Sequence, residues 1–339
     1  MTGYLERHVN GESIGRFPVW MMRQAGRYLP SYRAIRERYS FWEMVTKSDV
    51  AVEVSLLPLS ELDVDGVILF SDILSLPYGF GIPIEMKEQV GPTLPRPMTL
   101  DEFQSFSQFQ PTKHTGFVCE ALSGLSRQIP KDKTLIGFAG APWTVGCYLL
   151  GGRGNRFEAI KIEMYKNPEK LSCALDALAE ATARYLVAQT ENGARLVQLF
   201  DTWVMEMPRW FFVNYYLPNL NRIFDALKGK VSCIYFSRNA HHLIDVFAQL
   251  HADGLGCDSL VSLDQMAGKT EKRFFLQGNL DPLVLLGDEA SVRKHTRDLV
   301  QTARKVNRPV ILNLGHGILP QTPVSNAKAF VEEAKVLWA

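Results

Sequence analysis

The chain has 339 residues, 46% of them apolar and 22% charged, with 37 Lys plus Arg against 36 Asp plus Glu. That composition excludes a disordered chain, and a net charge of +1 leaves no global field to draw in nucleic acid or anionic lipid. Any anionic partner must be read by a local cluster, and the length allows two domains or one large barrel at roughly 150 residues per domain.

The first residues, MTGYLERHVNGES, carry no apolar run of the signal-peptide kind, and no stretch of about 18 apolar residues follows, so the expectation is a soluble, cytoplasmic protein without membrane contact. Buried strands are predicted at PVWMM (18–22), VDGVILF (64–70), TLIGFAG (134–140), ARLVQLF (194–200), VSCIYF (231–236), DSLVSL (258–263), RFFLQG (273–278) and PVILNL (309–314). Helical spacing separates them. It is clearest from Pro168 to about Glu191, where Leu171, Ala174, Leu175, Leu178, Tyr185 and Leu186 share a face. Asn167 is expected to cap that helix, Pro168 to open it, and Asn192 with Gly193 to supply a left-handed exit. Residues 71–133, rich in Pro and Gly, read as an excursion with no assigned place. No linker or internal repeat divides the chain, so one unit spanning 1–339 is expected.

Eight such runs alternating with helices point to an α/β fold of the (β/α)8 barrel type. A doubly wound sheet is the alternative, but GRGNRF, GLGCDS and GHGILP all lack the final glycine of its phosphate fingerprint. The five cysteines form no CxxC pair and read as small buried hydrophobes in a reducing compartment.

Barrel chemistry sits after the C-terminal ends of the strands, and there the chain turns polar. Arg23, Gln24 and Arg27 follow the first run, Ser71 and Asp72 the second, and Asp201 and Thr202 the fourth. Ser237 and Arg238 follow the fifth, Asp264 and Gln265 the sixth, Asn279 the seventh, and Gly315, His316 and Gly317 the eighth. The segment 23–39 holds five arginines against one acid, Glu37, a cluster suited to a carboxylate or phosphate ligand. If it is helical, Arg23 and Arg27 share a face, and Gly26 lets backbone N–H groups approach the same anion. Arg33, Arg36 and Arg38 read instead as a solvated face. Asp72 stands at the edge of an apolar interior, either capping and pairing structurally or acting on a ligand. His316, between glycines, leaves the same choice open, whereas Tyr148, among apolar neighbours, reads from the residues alone as a core aromatic.

Four segments are recognisable together: PVWMMRQAGRYLPSYR, FSDIL, GFAGAPWTVGCYLL and NLGHGI. In this order, from residue 18 to 317, they resemble the uroporphyrinogen decarboxylase family. The resemblance implies a single-domain barrel, usually a homodimer, that removes CO₂ from the four acetate side chains of uroporphyrinogen without metal or organic cofactor. It further implies that Arg23, Gln24, Ala25, Gly26 and Arg27 bind substrate carboxylates and that Asp72 contacts the pyrrole N–H groups. Tyr148, Thr202 and His316 match the remaining substrate-contacting positions, and Asp72, Arg23, His316 and Tyr148 are the candidates for catalysis. One departure is visible, because Thr202 and WVMEM (203–207) stand where the family commonly has Ser and a Trp-Ala-Gly-like stretch. Two rivals remain. A zinc-dependent corrinoid methyltransferase of the same superfamily would need a His and Cys ligand pair that the strand ends lack. A non-catalytic tetrapyrrole carrier would have no need of the FSDIL aspartate.

Overall fold

The structure is a computed structural model that describes residues 3–87, 90–154 and 157–336. Its main sheet is parallel and seven-stranded, in the order β1 (Gly66–Ile68), β4 (Thr134–Gly140), β5 (Leu196–Asp201), β6 (Ser232–Ser237), β7 (Gly254–Gly256), β8 (Phe275–Leu280) and β9 (Val310–Leu314). The two remaining strands, β2 (Glu85–Lys87) and β3 (Gly91–Thr93), form an antiparallel hairpin inside the 71–133 excursion. The eighth barrel position belongs to the run 18–22, which makes a single parallel bridge, Val19 with Leu312. The Leu312 N–H donates to Pro18 O (2.9 Å) and the Asp65 N–H to Val19 O (2.8 Å), so this run joins the edge at β9 to the edge at β1. The Arg16 guanidinium grips the buried Asp65 carboxylate through both nitrogens (2.6 and 2.8 Å), which fixes the entry to β1.

One predicted strand moves. DSLVSL is not a strand; the sheet takes up Gly254–Gly256 just before it, while Leu260 is 66% exposed and Asp264 and Gln265 lie in the short helix Leu263–Lys269. The neighbours give the reason. A Cβ on Gly254 would fall 2.3 Å from the Phe275 ring, and one on Gly256 would fall 2.9 Å from Phe236. Large rings on β8 and β6 therefore fill the space beside β7, and its own apolarity carries no signal.

Inside the barrel, Trp20, Met22, Ile136, Leu196, Ile234, Phe236, Phe275 and Ile311 form one cluster, and a larger core lies between sheet and helices. A polar thread crosses the interior fully bonded, from Trp20 Nε1 to Gln277 Oε1 (3.0 Å) and from Gln277 Nε2 to Gln198 Oε1 (2.8 Å). The helix Pro168–Glu191 has its predicted bounds, its apolar face is buried, and Gly193 leaves it with φ +113°. Asn167 does not cap it; its amide donates to Glu163 Oε2 (3.2 Å), and Asn192 keeps a negative φ. Gln189 straps the helix to β4, accepting the Phe138 N–H and donating to the Phe138 carbonyl (both 2.8 Å), in space left by Gly137. Among the described residues no helix is long and apolar enough to cross a membrane.

Candidate active site

Residues 23–29 are turns and bends, and the helix Pro30–Arg38 begins only afterwards, so Arg23 and Arg27 do not share a helical face. Pro30 opens that helix because its missing N–H and fixed φ suit a first position. Arg23 adopts φ +62°, and the residue before it is held at both of its backbone groups: the Met22 N–H donates to Asn313 Oδ1 (3.0 Å) and the Ile318 N–H to Met22 O (2.9 Å). The Arg23 side chain lies across Gly317, where a Cβ would come within 2.4 Å of its Cδ. Gln24 is fully buried and structurally occupied, with Nε2 donating to Gly66 O (2.9 Å) and Oε1 accepting the Met21 N–H (3.2 Å). Ala25 and Gly26 are half-buried, and the N–H groups of Ala25, Gly26 and Arg27 meet no protein acceptor among the described residues. Arg27 is exposed, and its charge, with that of Arg36, reaches the Tyr32 hydroxyl and opposes the effect of burial there. The outer arginines serve the backbone: Arg33 donates to Arg27 O (2.8 Å) and Tyr28 O (3.1 Å), and Arg36 to Tyr39 O (2.7 Å).

Asp72 follows β1 in a turn of its own. Its Oδ1 accepts the Leu74 N–H (2.8 Å) and its N–H donates to Ser75 Oγ (3.1 Å). No protein donor reaches its other oxygen, and no arginine stands at ion-pairing distance, among the described residues. Burial pushes this carboxyl up, against the pull of the Leu74 N–H and the Arg23 charge.

Tyr148 projects from the helix Pro142–Gly151 and lies against the Trp203 indole (centroids 4.2 Å apart, 31° between planes). Burial and the Asp72 charge raise its hydroxyl, while Arg23 opposes them, so it keeps its proton. Thr202 is half-buried at the end of β5. His316 follows β9 beside the Phe236 ring (6.3 Å), and burial together with the charges of Arg23 and Arg238 lowers it to about 4. It is therefore neutral at pH 7. Phe138, Phe200 and Phe236 continue edge to face from β4 to β6 (5.6 and 5.7 Å), an apolar floor that reaches the site beside His316. The Arg23 charge thus acts on Asp72, Tyr148 and His316 alike, and the Asp72 charge on Tyr148.

The chain matches the family described as "Uroporphyrinogen decarboxylase (URO-D)" over residues 4–337. The chain belongs to the uroporphyrinogen decarboxylase family. Curated relatives named uroporphyrinogen decarboxylase include that of Gloeobacter violaceus, 37% identical over 96% of this chain and 94% of its own length. Another, from Nostoc punctiforme, is 37% identical over 99% of this chain and 96% of its own. Among solved structures, a methyltransferase from Methanosarcina mazei superposes with a TM-score of 0.80 at 19% identity, covering 97% of this chain and 96% of that one, which speaks for the shared fold alone. No three His, Cys, Asp or Glu side chains gather as metal ligands among the described residues.

The sequence pattern leaves three features of the site unread. Arg238 appears only as one polar strand end among several, the aromatic floor is indistinguishable from core, and Asp201 proves to be wholly buried and bonded by hydroxyls from Thr144 (2.7 Å), Tyr216 (2.9 Å) and Tyr235 (2.9 Å). Those partners lie on separate elements, which only the fold brings together.

Proposed function

We propose that the cleft of this decarboxylase binds uroporphyrinogen over the Phe138–Phe200–Phe236 floor and removes its four acetate carboxyl groups as CO₂, giving coproporphyrinogen. The observation that carries the reading is the Asp72 carboxylate, with one oxygen fixed by Leu74 and the other unclaimed by protein donors among the described residues, beside Arg23 in a partly desolvated mouth.

The chemistry needs an electron sink, and the pyrrole supplies one. Protonation of the ring carbon next to the one bearing the acetate makes an iminium-like cation conjugated to the acetate-bearing carbon; the C–CO₂ bond then breaks and its electron pair flows into the ring, leaving an exocyclic methylene. A proton adds to the methylene carbon, the ring loses its extra proton, and the net change is acetate plus one proton to methyl plus CO₂. Asp72, held in place before substrate arrives, accepts the pyrrole N–H groups with its unclaimed oxygen and stabilises the cation. Removal of water by the bound macrocycle strengthens that interaction.

His316 and Tyr148 act as neutral hydrogen-bond donors, since one is lowered to about 4 and the other is pushed up by burial. Arg23 is the cation nearest Asp72 in charge, and we assign it the reacting carboxylate and the orientation of a proton-bearing water. Arg27, with the N–H groups of Ala25 and Gly26, takes a peripheral carboxylate, and Arg238 offers a second cation beside His316. Thr202 retains the hydroxyl of the Ser it replaces. Gln24, whose side chain is occupied, contributes by holding the loop. The unit of function is the whole barrel, residues 1–339, working as a homodimer in the cytoplasm. Incubating the metal-stripped protein with uroporphyrinogen without oxygen, then counting carboxylates on the oxidised products, tests the reading: loss of one to four supports it, and substrate recovered intact favours a carrier.

A further inference from the structure

The carboxylate of Asp201 touches no part of the cleft, yet it organises one wall of it. Oδ1 accepts the Thr144 hydroxyl (2.7 Å) and Oδ2 the hydroxyls of Tyr216 and Tyr235 (both 2.9 Å). Two of those hydroxyls are themselves acceptors. Thr144 Oγ1 takes the Trp203 N–H (3.1 Å), and the Tyr216 oxygen takes the Trp143 N–H (3.0 Å). With a backbone N–H on its acceptor side, each hydroxyl must pass its proton to Asp201. An ionised carboxylate can receive three donors, whereas a neutral acid or an amide brings a further donor into a site already full of them.

Both ends of this relay lead to the substrate wall. Thr144 sits one turn before Tyr148 on the helix Pro142–Gly151, and Trp203 follows Thr202 and lies against the Tyr148 ring (4.2 Å). The Trp143 indole N–H closes the circuit by donating to Trp203 O (3.0 Å).

We infer that Asp201 is a positioning residue: as an anion it locks Thr144 and Trp203, and through them sets where Tyr148 and Thr202 meet the substrate. The inference rests on the decarboxylase reading for its kinetic consequence but not for its geometry. Burial pushes Asp201 up to about 6 against the three hydroxyls, so the lock is closed at pH 8 and opens on acidification. The ionisable groups facing it are Tyr235 from β6, Tyr216 from the turn 212–216 and Cys147 from the Tyr148 helix, all raised by burial and by the Asp201 charge. Glu206, paired with Lys161 (2.9 Å), acts on Cys147 from beyond.

Thr144→Val removes the proton that links Asp201 to Trp203, and Thr144→Ser keeps it. We expect the Val variant to lose roughly ten- to hundredfold in kcat with KM changed less than about threefold, because the arginines are untouched, while Ser stays within about twofold of the parent. Equal activity in the two variants overturns the inference. Tyr235→Phe removes one donor to the charged form and so must move the acid limb of kcat to higher pH; an unmoved limb also overturns it. Trp203 emission, taken as parent minus Trp203→Phe, supplies a readout independent of turnover. Its acid titration should shift upward in Tyr235→Phe. If the parent enzyme decarboxylates nothing, the decarboxylase reading fails by itself and this titration still decides the role of Asp201.

Discussion

Gly317 offers a way to displace Arg23 without altering its chemistry. A Cβ built there lies 2.4 Å from Arg23 Cδ, 2.8 Å from Cγ and 2.9 Å from Nε, and ordinary carbon contacts need about 3.5–4.0 Å. Gly317→Ala therefore forces the guanidinium stem to shift by about 1 Å or more. The clash is with a flexible side chain rather than backbone, and Gly317 is not among the glycines held at positive φ, so the fold should tolerate the change. A shift of that size at a group gripping the reacting carboxylate is worth up to about a hundredfold in rate, or roughly 2.7 kcal/mol. The assay is steady-state decarboxylation of uroporphyrinogen beside thermal unfolding, and the result expected is a large loss of kcat/KM at nearly unchanged Tm. Gly315→Ala is the contrast, because its Cβ would meet the Ser259 backbone nitrogen at 2.4 Å; it should lower Tm by several degrees. Wild-type turnover in Gly317→Ala would refute the placement of Arg23 at the reacting group.

Arg27→Ala should raise KM with kcat largely kept, since the exposed Arg27 is assigned a carboxylate remote from the reacting acetate; a fall in kcat at constant KM would move it to the reaction centre. KM should also climb with added salt, because the grip on a polyanion by exposed arginines is screened within a Debye length of about 10 Å at 0.1 M; a salt-independent KM would remove the arginine cluster from binding. His316 is lowered to about 4 from its ordinary 6.5, so the unfolded chain binds its proton first and stability falls as pH drops from about 6.5 to about 4. His316→Gln should therefore gain on the order of 2–3 kcal/mol relative to the parent between pH 7 and pH 4, measured by denaturant unfolding; a constant difference across that range contradicts a buried neutral imidazole.

Much of this fold was legible because a buried parallel strand announces itself as a short apolar run and an outer helix by its period. TLIGFAG and the helix Pro168–Glu191 lie where those patterns put them. Strand β7 was not legible, since Gly254 and Gly256 borrow their hydrophobic cover from Phe275 and Phe236, and DSLVSL imitates a strand while leaving Leu260 in solvent. The run 18–22 stands in the barrel wall but pairs through one bridge only, because its continuation turns at Arg23 to face the cleft. At the site, the rule that polar residues after strands line the mouth picks out Asp72, Thr202 and His316. It cannot tell Asp201, one residue earlier and pointing into the protein, from Thr202. That distinction depends on alternation across the strand and on hydroxyls from three distant segments.

The most direct test of the account is the turnover of Asp72→Asn measured beside its affinity for uroporphyrinogen. The amide keeps the shape and the Leu74 contact but not the charge, so binding should persist within about tenfold while kcat falls by roughly 10²–10³-fold, the scale of a lost oxyanion-hole-type interaction. Turnover within a few-fold of the parent at saturating substrate would contradict the claim that this carboxylate stabilises the cationic ring.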